Sequence, residues 1–314
     1  MDTRSEKRQA KKKRKWPFWL GGIILLLILA VGTYMIYLYN QVGDTVATMH
    51  EPLSRDEDPE RQEKLDSIVK NKKSINVLLL GVDQRENDVG RSDTMILMSL
   101  NPATNKTIMV SIPRDTYVNI PGRGMDKINH AYAFGGVELS VQTVENTFDV
   151  PVHFYVKVNM EGFKQGIDAL GGVTITNDNA FSQGGENFPT GQIQLSGEEA
   201  LKYIRMRKED PRGDLGRNER QRKVIKAAMD KGASFSNITK VTDILDILGD
   251  NVTTNLNMKK MQTLFTDYRD TRKNMETIEI SGHGEMINSI YYYAVPDNEI
   301  NRITQTIKEH MEAN

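Results

Sequence analysis

From Trp16 to Tyr39 the chain reads WPFWLGGIILLLILAVGTYMIYLY without one charged side chain, and no other stretch limits the fold so tightly. A helix needs ~20 apolar residues to cross ~30 Å of hydrocarbon, and this run supplies them. Trp16, Phe18 and Trp19 at one end and Tyr34, Tyr37 and Tyr39 at the other stand where amphipathic rings favour a membrane interface. The run is too long for a secretory h-region and no small-residue cleavage site follows, so it reads as an uncleaved signal anchor. The basic block from Arg4 to Lys15 precedes it. Lysine and arginine favour the cytoplasmic side, which places the remainder of the chain outside the cell, as in a single-pass type II protein of the cell membrane.

That topology excludes several classes. An extracellular site has no ATP supply, which argues against a kinase or ATPase. The chain has no cysteine, so neither a disulfide framework nor a thiolate metal site is available. DNA binding would need the folded part on the cytoplasmic side, so no nucleic acid is expected as a partner.

Four segments follow from the charge and hydropathy pattern. Residues 1–15 form a basic cytoplasmic tail, 16–39 the transmembrane anchor, 40–74 a polar stalk of mixed charge, and 75–314 one folded extracellular domain. The domain opens with INVLLLGVD, a continuous apolar run that predicts a strand buried on both faces. TMILMSLN and KTIMVSIPRD predict two further strands joined by a hairpin loop over Pro102 to Asn105. HAYAFGGVELSVQTVENTF predicts a helix with Val137, Val141, Val144 and Phe148 inward. HFYVKV, VTIT and METIEIS read as strands; MEGFKQGIDAL, VTDILDIL, MKKMQTLFTDY and NEINRITQTIKEHM read as helices. Ser196 and Glu199 form a capping box that starts a helix carrying Arg205 and Arg207. Gly213 and Gly216 then break the chain before a second helix from about Arg217 to Gly232. The expected class is α/β, a mixed central sheet flanked by helices and preceded by one transmembrane helix.

The stretch YIRMRKEDPRGDLGRNERQR concentrates Arg205, Arg207, Arg217, Arg220, Gln221 and Arg222. Converging guanidinium forks suit a phosphate or diphosphate, although Glu209, Asp210, Asp214 and Glu219 would equally make this a salt-bridged surface. Three strand ends bring more polar groups to a common rim: Asp83 with Arg85, Arg91 with Asp93, and Arg114 with Asp115. Two hard carboxylates, Asp83 and Asp93, beside arginines describe a site for Mg²⁺ and a diphosphate, since Mg²⁺ takes one or two carboxylates plus phosphate oxygens. GxxxxGK[ST], GxGxxG after the first strand, HExxH and GxSxG are all missing.

GVDQRE, GRSDTMIL, SIPRDTYV, KINHAYAFGG and YIRMRKEDPRGDLGRNERQRKVI, in this order behind a signal anchor, resemble the LytR-CpsA-Psr family of Gram-positive cell-wall proteins. The resemblance implies a catalytic domain over residues 75–314 that moves an anionic glycopolymer, such as teichoic acid, from an undecaprenyl diphosphate carrier to a peptidoglycan sugar hydroxyl. It implies catalytic roles for Asp83, Asp93 and Arg114, with Asp83 and Asp93 holding Mg²⁺, or Mn²⁺ in its place. It places the diphosphate on Arg85, Arg91, Arg114, Lys127, Arg205, Arg207, Arg217, Arg220 and Gln221. Partners would be the lipid-linked polymer, peptidoglycan and membrane lipid. A membrane-bound regulator and a lipid-diphosphate hydrolase are the alternatives.

Overall fold

The computed structural model describes residues 16–83, 90–207, 209–233, 247 and 249–314, and for 16–28 and 31 the backbone alone. The chain divides into two units, residues 1–43 and 44–314. Helix α1 runs over Trp16–Met49. The basic tail lies outside the described residues, as do the side chains of residues 16–28, which carry much of the expected span. Among the described residues, no helix is long and apolar enough to cross a membrane.

The segment expected to be a stalk is partly built into the second unit. Pro59–Lys70 forms helix α2, whose Leu65 and Val69, one turn apart, are buried with Ile75, Val77, Phe154, Leu256 and Tyr268. Asp56, only 5% exposed, accepts from Leu53 N, Arg61 Nε and Asn255 Nδ2. Composition hid this because a few well-spaced apolar residues and one buried acceptor are enough to dock a short helix.

The strands β1 (Ile75–Asp83), β2 (Arg91–Asn101), β3 (Lys106–Ser111), β4 (Tyr117–Ile120) and β5 (Gly124–Lys127) come next. Helix α3 (His130–Phe148) follows, then β6 (Phe154–Asn159), α4 (Met160–Ala169) and β7 (Val173–Asn177). Short strands β8 (Phe181–Gln183), β9 (Glu186–Phe188) and β10 (Gly191–Leu195) lead into α5 (Gly197–Arg205) and α6 (Asp214–Ala233). The chain closes with β11 (Val252–Thr254), α7 (Met258–Thr263), β12 (Met275–Glu279), β13 (His283–Ile287), β14 (Ile290–Ala294) and α8 (Asp297–Glu312). The helix expected at VTDILDIL lies largely outside the described residues.

The central sheet has six strands in the order β11-β6-β1-β2-β3-β12. It is mixed, as expected: β1 runs parallel to β6 and antiparallel to β2, and β3 parallel to β12. Alternation along β1 divides the core. Leu78, Leu80 and Val82 join Val141, Val144, Phe148, Ile303 and Ile307 from α3 and α8. On the other face Ile96, Met98 and Met109, with Leu79 beside them, meet Ile225 and Met229 of α6. Helices therefore cover both faces, which is why β1 could be written as an unbroken apolar run.

The helix expected to carry both Arg205 and Arg207 ends sooner. Its capping box at Ser196 and Glu199 is present, but Met206 is extended and α5 stops at Arg205. The Met206 carbonyl is taken by Arg220 Nη2 at 2.6 Å, which diverts the backbone and leaves Arg207 on a loop. Gly213, at φ +56°, allows the turn into α6.

Candidate active site

The site forms where β1 and β2 end together. Their register pairs Asp83 with Arg91 but slips after Gly81, which faces Thr94, while Val82 faces Ser92. Asp93 is thus the extra residue of a β-bulge, a feature that re-aims a side chain at a sheet rim. It accepts a 2.9 Å hydrogen bond from Arg114 Nη1, just beyond β3. Asp83 lies 3.5 Å from Arg205 Nη2 at the end of α5. Each expected carboxylate thereby meets a guanidinium from a distant part of the chain.

Asp214, the first residue of α6, extends the cluster. It accepts from Arg217 Nη2 at 2.9 Å, and Arg207 Nη1 is 4.0 Å away. Burial lowers the pKa of Arg217; Asp214 and Asp93 oppose the shift, and Arg114 and Arg207 add to it. For Arg114 burial also acts downward, but Asp93, with Asp214 and Asp115, outweighs it and the net shift is upward. Arg114 and Arg207 thus both lie near enough to Arg217 to act on its charge, as Asp93 and Asp214 do. Arg217 Nε is buried without a hydrogen-bond partner among the described residues, an unmet donor that a bound anion would satisfy.

The remaining expected residues divide. Arg91 is exposed opposite Asp83, and Lys127 Nζ donates to Asp115 at 2.7 Å, with Arg114 Nε 3.6 Å from the same carboxylate. Arg85 lies outside the described residues. Arg220 does not reach into the cluster: Nη1 donates to Asp210 at 2.6 Å, Nη2 holds the Met206 carbonyl, and the guanidinium lies 5.4 Å over the Phe181 ring. A Cβ at Gly216 would fall 1.8 Å from Asp210 Oδ2, so only glycine admits that carboxylate. Arg220 and Asp210 thus set the loop that carries Arg207 and Asp214.

Gln221 faces a different environment, an open-mouthed cavity of about 380 Å³ lined by residues of β1, β2, β6, α4, α5 and α6. Its walls are mainly apolar, with Leu79, Val156, Val158, Phe163, Ile204 and Ile225 among them. Ile204 immediately precedes Arg205, Gln221 lies one turn after Arg217, and wall residues Gly81 and Thr94 flank the bulge at Asp93. The charged cluster borders the cavity. Sequence reasoning missed this space; its trace in MEGFKQG is Gly166 on α4, which lines the cavity with no described atom within 4 Å of where its Cβ would stand, whereas a Cβ at Gly162 would fall 2.4 Å from Asn251 Cβ.

As for a metal, among the described residues no group of three His, Asp or Glu side chains is placed to hold an ion. The two rim carboxylates, Asp83 and Asp93, are hard oxygen donors of the type Mg²⁺ takes when phosphate oxygens and water complete its shell, and each is engaged by an arginine.

The mixed α/β sheet with carboxylates and guanidinium groups at its rim is shared with known proteins named as transferases, and the chain is of that class. Comparison with known proteins makes the class specific: the chain belongs to the LytR_cpsA_psr family, whose model matches residues 36–309. It is 62% identical over 318 residues, 99% of both chains, to the polyisoprenyl-teichoic acid--peptidoglycan teichoic acid transferase TagU of Oceanobacillus iheyensis. The crystal structure of B. subtilis TagU superposes with a TM-score of 0.65 at 48% identity, covering 77% of this chain and 99% of that one. TagT bound to LIIa-WTA superposes with a TM-score of 0.71 at 34% identity, covering 83% and 99%.

Proposed function

We propose that this protein transfers an anionic glycopolymer, a teichoic acid, from a polyisoprenyl diphosphate carrier to a sugar hydroxyl of peptidoglycan. The relatives' names supply the substrate class. The observation that carries the reading here is the continuity of the Arg114, Arg207 and Arg217 cluster with the apolar cavity, since one place then accepts a diphosphate and the hydrocarbon attached to it. The cavity falls within the ~300–1,000 Å³ typical of ligand sites.

In the reaction the acceptor hydroxyl oxygen bonds to the phosphorus that bears the polymer and gives up its proton to solvent, the bond from that phosphorus to the bridging oxygen breaks, and polyisoprenyl phosphate leaves. Such a step needs positioning and charge neutralisation, which fixed guanidinium groups supply without reorganising. Arg114 and Arg217 approach from a strand end and a helix, so they can contact the diphosphate from two directions. Asp83 and Asp93 would hold Mg²⁺, or Mn²⁺ in its place, whose charge would offset that of the phosphate oxygens. The donor already contains a diphosphate bond, so no ATP is required.

The anchor belongs to the same reading. A span over residues 16–39 with the basic block in the cytoplasm keeps the domain outside the cell, beside the bilayer that holds the carrier. Protease added to intact protoplasts should remove the domain and spare the basic tail; a protected domain would refute this topology. The activity is tested with the full chain, a lipid diphosphate-linked polymer and peptidoglycan, followed by linkage analysis. Polymer joined to peptidoglycan is the expected product. Free polymer phosphate in equal yield with and without peptidoglycan would mean a hydrolase.

A further inference from the structure

Strands β13 and β14 form a hairpin outside the main sheet that turns at Asn288 and Ser289, with φ of 50° and 63°. Its base is fastened to the candidate site. Tyr293 N donates to Asp115 O at 2.8 Å, and the Tyr292 ring lies 4.7 Å from that of Tyr117. Lys127, paired with Asp115, stands 5.7 Å from the Tyr292 ring. The tip leaves Met286, Ile290 and Tyr291 62%, 50% and 47% exposed.

Tyr291 is set in a defined orientation. It pairs with Met286, and the neighbouring Gly284 on β13 leaves room for its ring: a Cβ there would come within 2.7 Å of Tyr291 Cε2. Burial raises the Tyr291 pKa most, Asp115 and Asp214 raise it further, and Arg207 opposes them.

We propose that Tyr291 is a specificity residue on which a pyranose ring of the acceptor glycan stacks, directing its hydroxyl to the phosphate held by Arg114, Arg207 and Arg217. This rests on the acceptor being a saccharide, as proposed above. The hydrocarbon has its cavity between β6, β1, β2 and the helices, and the diphosphate has the arginines. The hairpin follows β12, the strand at the opposite end of the sheet from β11 and β6, and forms no wall of the cavity, so its tip can serve the remaining substrate. A pyranose presents an apolar C–H face and a rim of hydroxyls. An amphipathic ring on a hairpin whose base is hydrogen-bonded to Asp115 through Tyr293 N offers a complement to the C–H face.

The test uses the full chain in detergent micelles, with a tetramer of β-1,4-linked N-acetylglucosamine as the saccharide probe and farnesyl diphosphate as the donor probe, both followed by calorimetry. Tyr291→Ala should raise the saccharide Kd about tenfold and Tyr291→Phe less than about threefold, with the donor Kd unchanged in both. Equal saccharide affinity for Tyr291→Ala and wild type, or no saccharide binding by wild type, would overturn the proposal. So would quenching of a Tyr291→Trp fluorophore by brominated lipid, beyond that of Trp16 and Trp19, in nanodiscs. Saccharide binding through Tyr291 without any donor binding would sink the function proposed above and overturn the directing role, leaving only a saccharide contact at Tyr291.

Discussion

Arg114 Nη1 donates to Asp93 Oδ1 at 2.9 Å, tying the loop after β3 to the bulge of β2. The pair fixes one edge of the guanidinium fork and so aims the rest of the group. Lysine keeps the charge but loses the fork. Arg114→Lys should therefore weaken lipid-diphosphate binding by about 1–3 kcal/mol, the range of a charge-assisted hydrogen bond. Arg212, half exposed and paired with Glu219 at 2.6 Å, should tolerate the same change. Combined with Arg207→Lys, the Arg114 effect should depart from additivity, because both act on one ligand. Calorimetry on the four proteins decides; strictly additive, small effects would reduce the cluster to a solvated salt-bridge network.

Asp83→Ala and Asp93→Ala should each abolish transfer while the fold survives, since both lie at the rim and not in the core. In the wild type, chelation should stop transfer and added Mg²⁺ restore it. Full activity in either variant would show that its carboxylate only orients an arginine.

What the sequence disclosed follows from how locally each feature is encoded. INVLLLGVD announced β1 because both its faces are covered, and Val137, Val141, Val144 and Phe148 announced the inner face of α3 by spacing alone. Arg217 and Arg220 look equivalent in sequence, yet one joins Asp214 at the rim and the other is turned onto Asp210 and Met206. That distinction arises from where α5 stops. The cavity was illegible for another reason: it is made by residues of six elements, with Gly166 leaving space where a side chain would stand. The β13–β14 hairpin joins short, exposed strands whose pairing no apolar alternation enforces.

Arg220→Ala should act through stability. It leaves the buried Asp210 carboxylate without its main partner, and breaking a buried pair in this way costs about 3–5 kcal/mol. Urea denaturation should show the loss. Unchanged stability with abolished diphosphate binding would mean that Arg220 contacts the ligand directly.

His153 gives the domain an acid sensitivity. Its Nδ1 accepts from Asn76 N at 2.9 Å, and burial first, then Arg61, Lys64 and Arg55, lower its pKa to about 4. The unfolded chain, with an ordinary value near 6.5, binds the proton more readily than the fold does. The stabilisation is therefore complete above about pH 6.5 and is lost as pH falls toward 4, by roughly 3 kcal/mol from this group. Urea midpoints across that window should fall more steeply for the wild type than for His153→Gln; parallel curves would assign the acid sensitivity to the carboxylates alone.

Gly166 tests the cavity itself. It lies on α4, lines the apolar space, and no described atom comes within 4 Å of where its Cβ would stand. Its backbone is ordinary helix, so a side chain introduces no strain there, and replacing a mid-helix glycine stabilises by up to about 1 kcal/mol. Gly166→Leu should therefore fold at least as well as the wild type while filling part of the space. Binding of a long polyisoprenyl diphosphate should weaken, because its chain loses the volume it would occupy. Binding of inorganic diphosphate should not change, because the arginines of the rim are untouched. Comparison of the two ligands on the same variant separates the cavity from the charged cluster. If Gly166→Leu bound the long-chain ligand as tightly as the wild type, the hydrocarbon would have to lie elsewhere, and the continuity of cluster and cavity would lose its functional meaning.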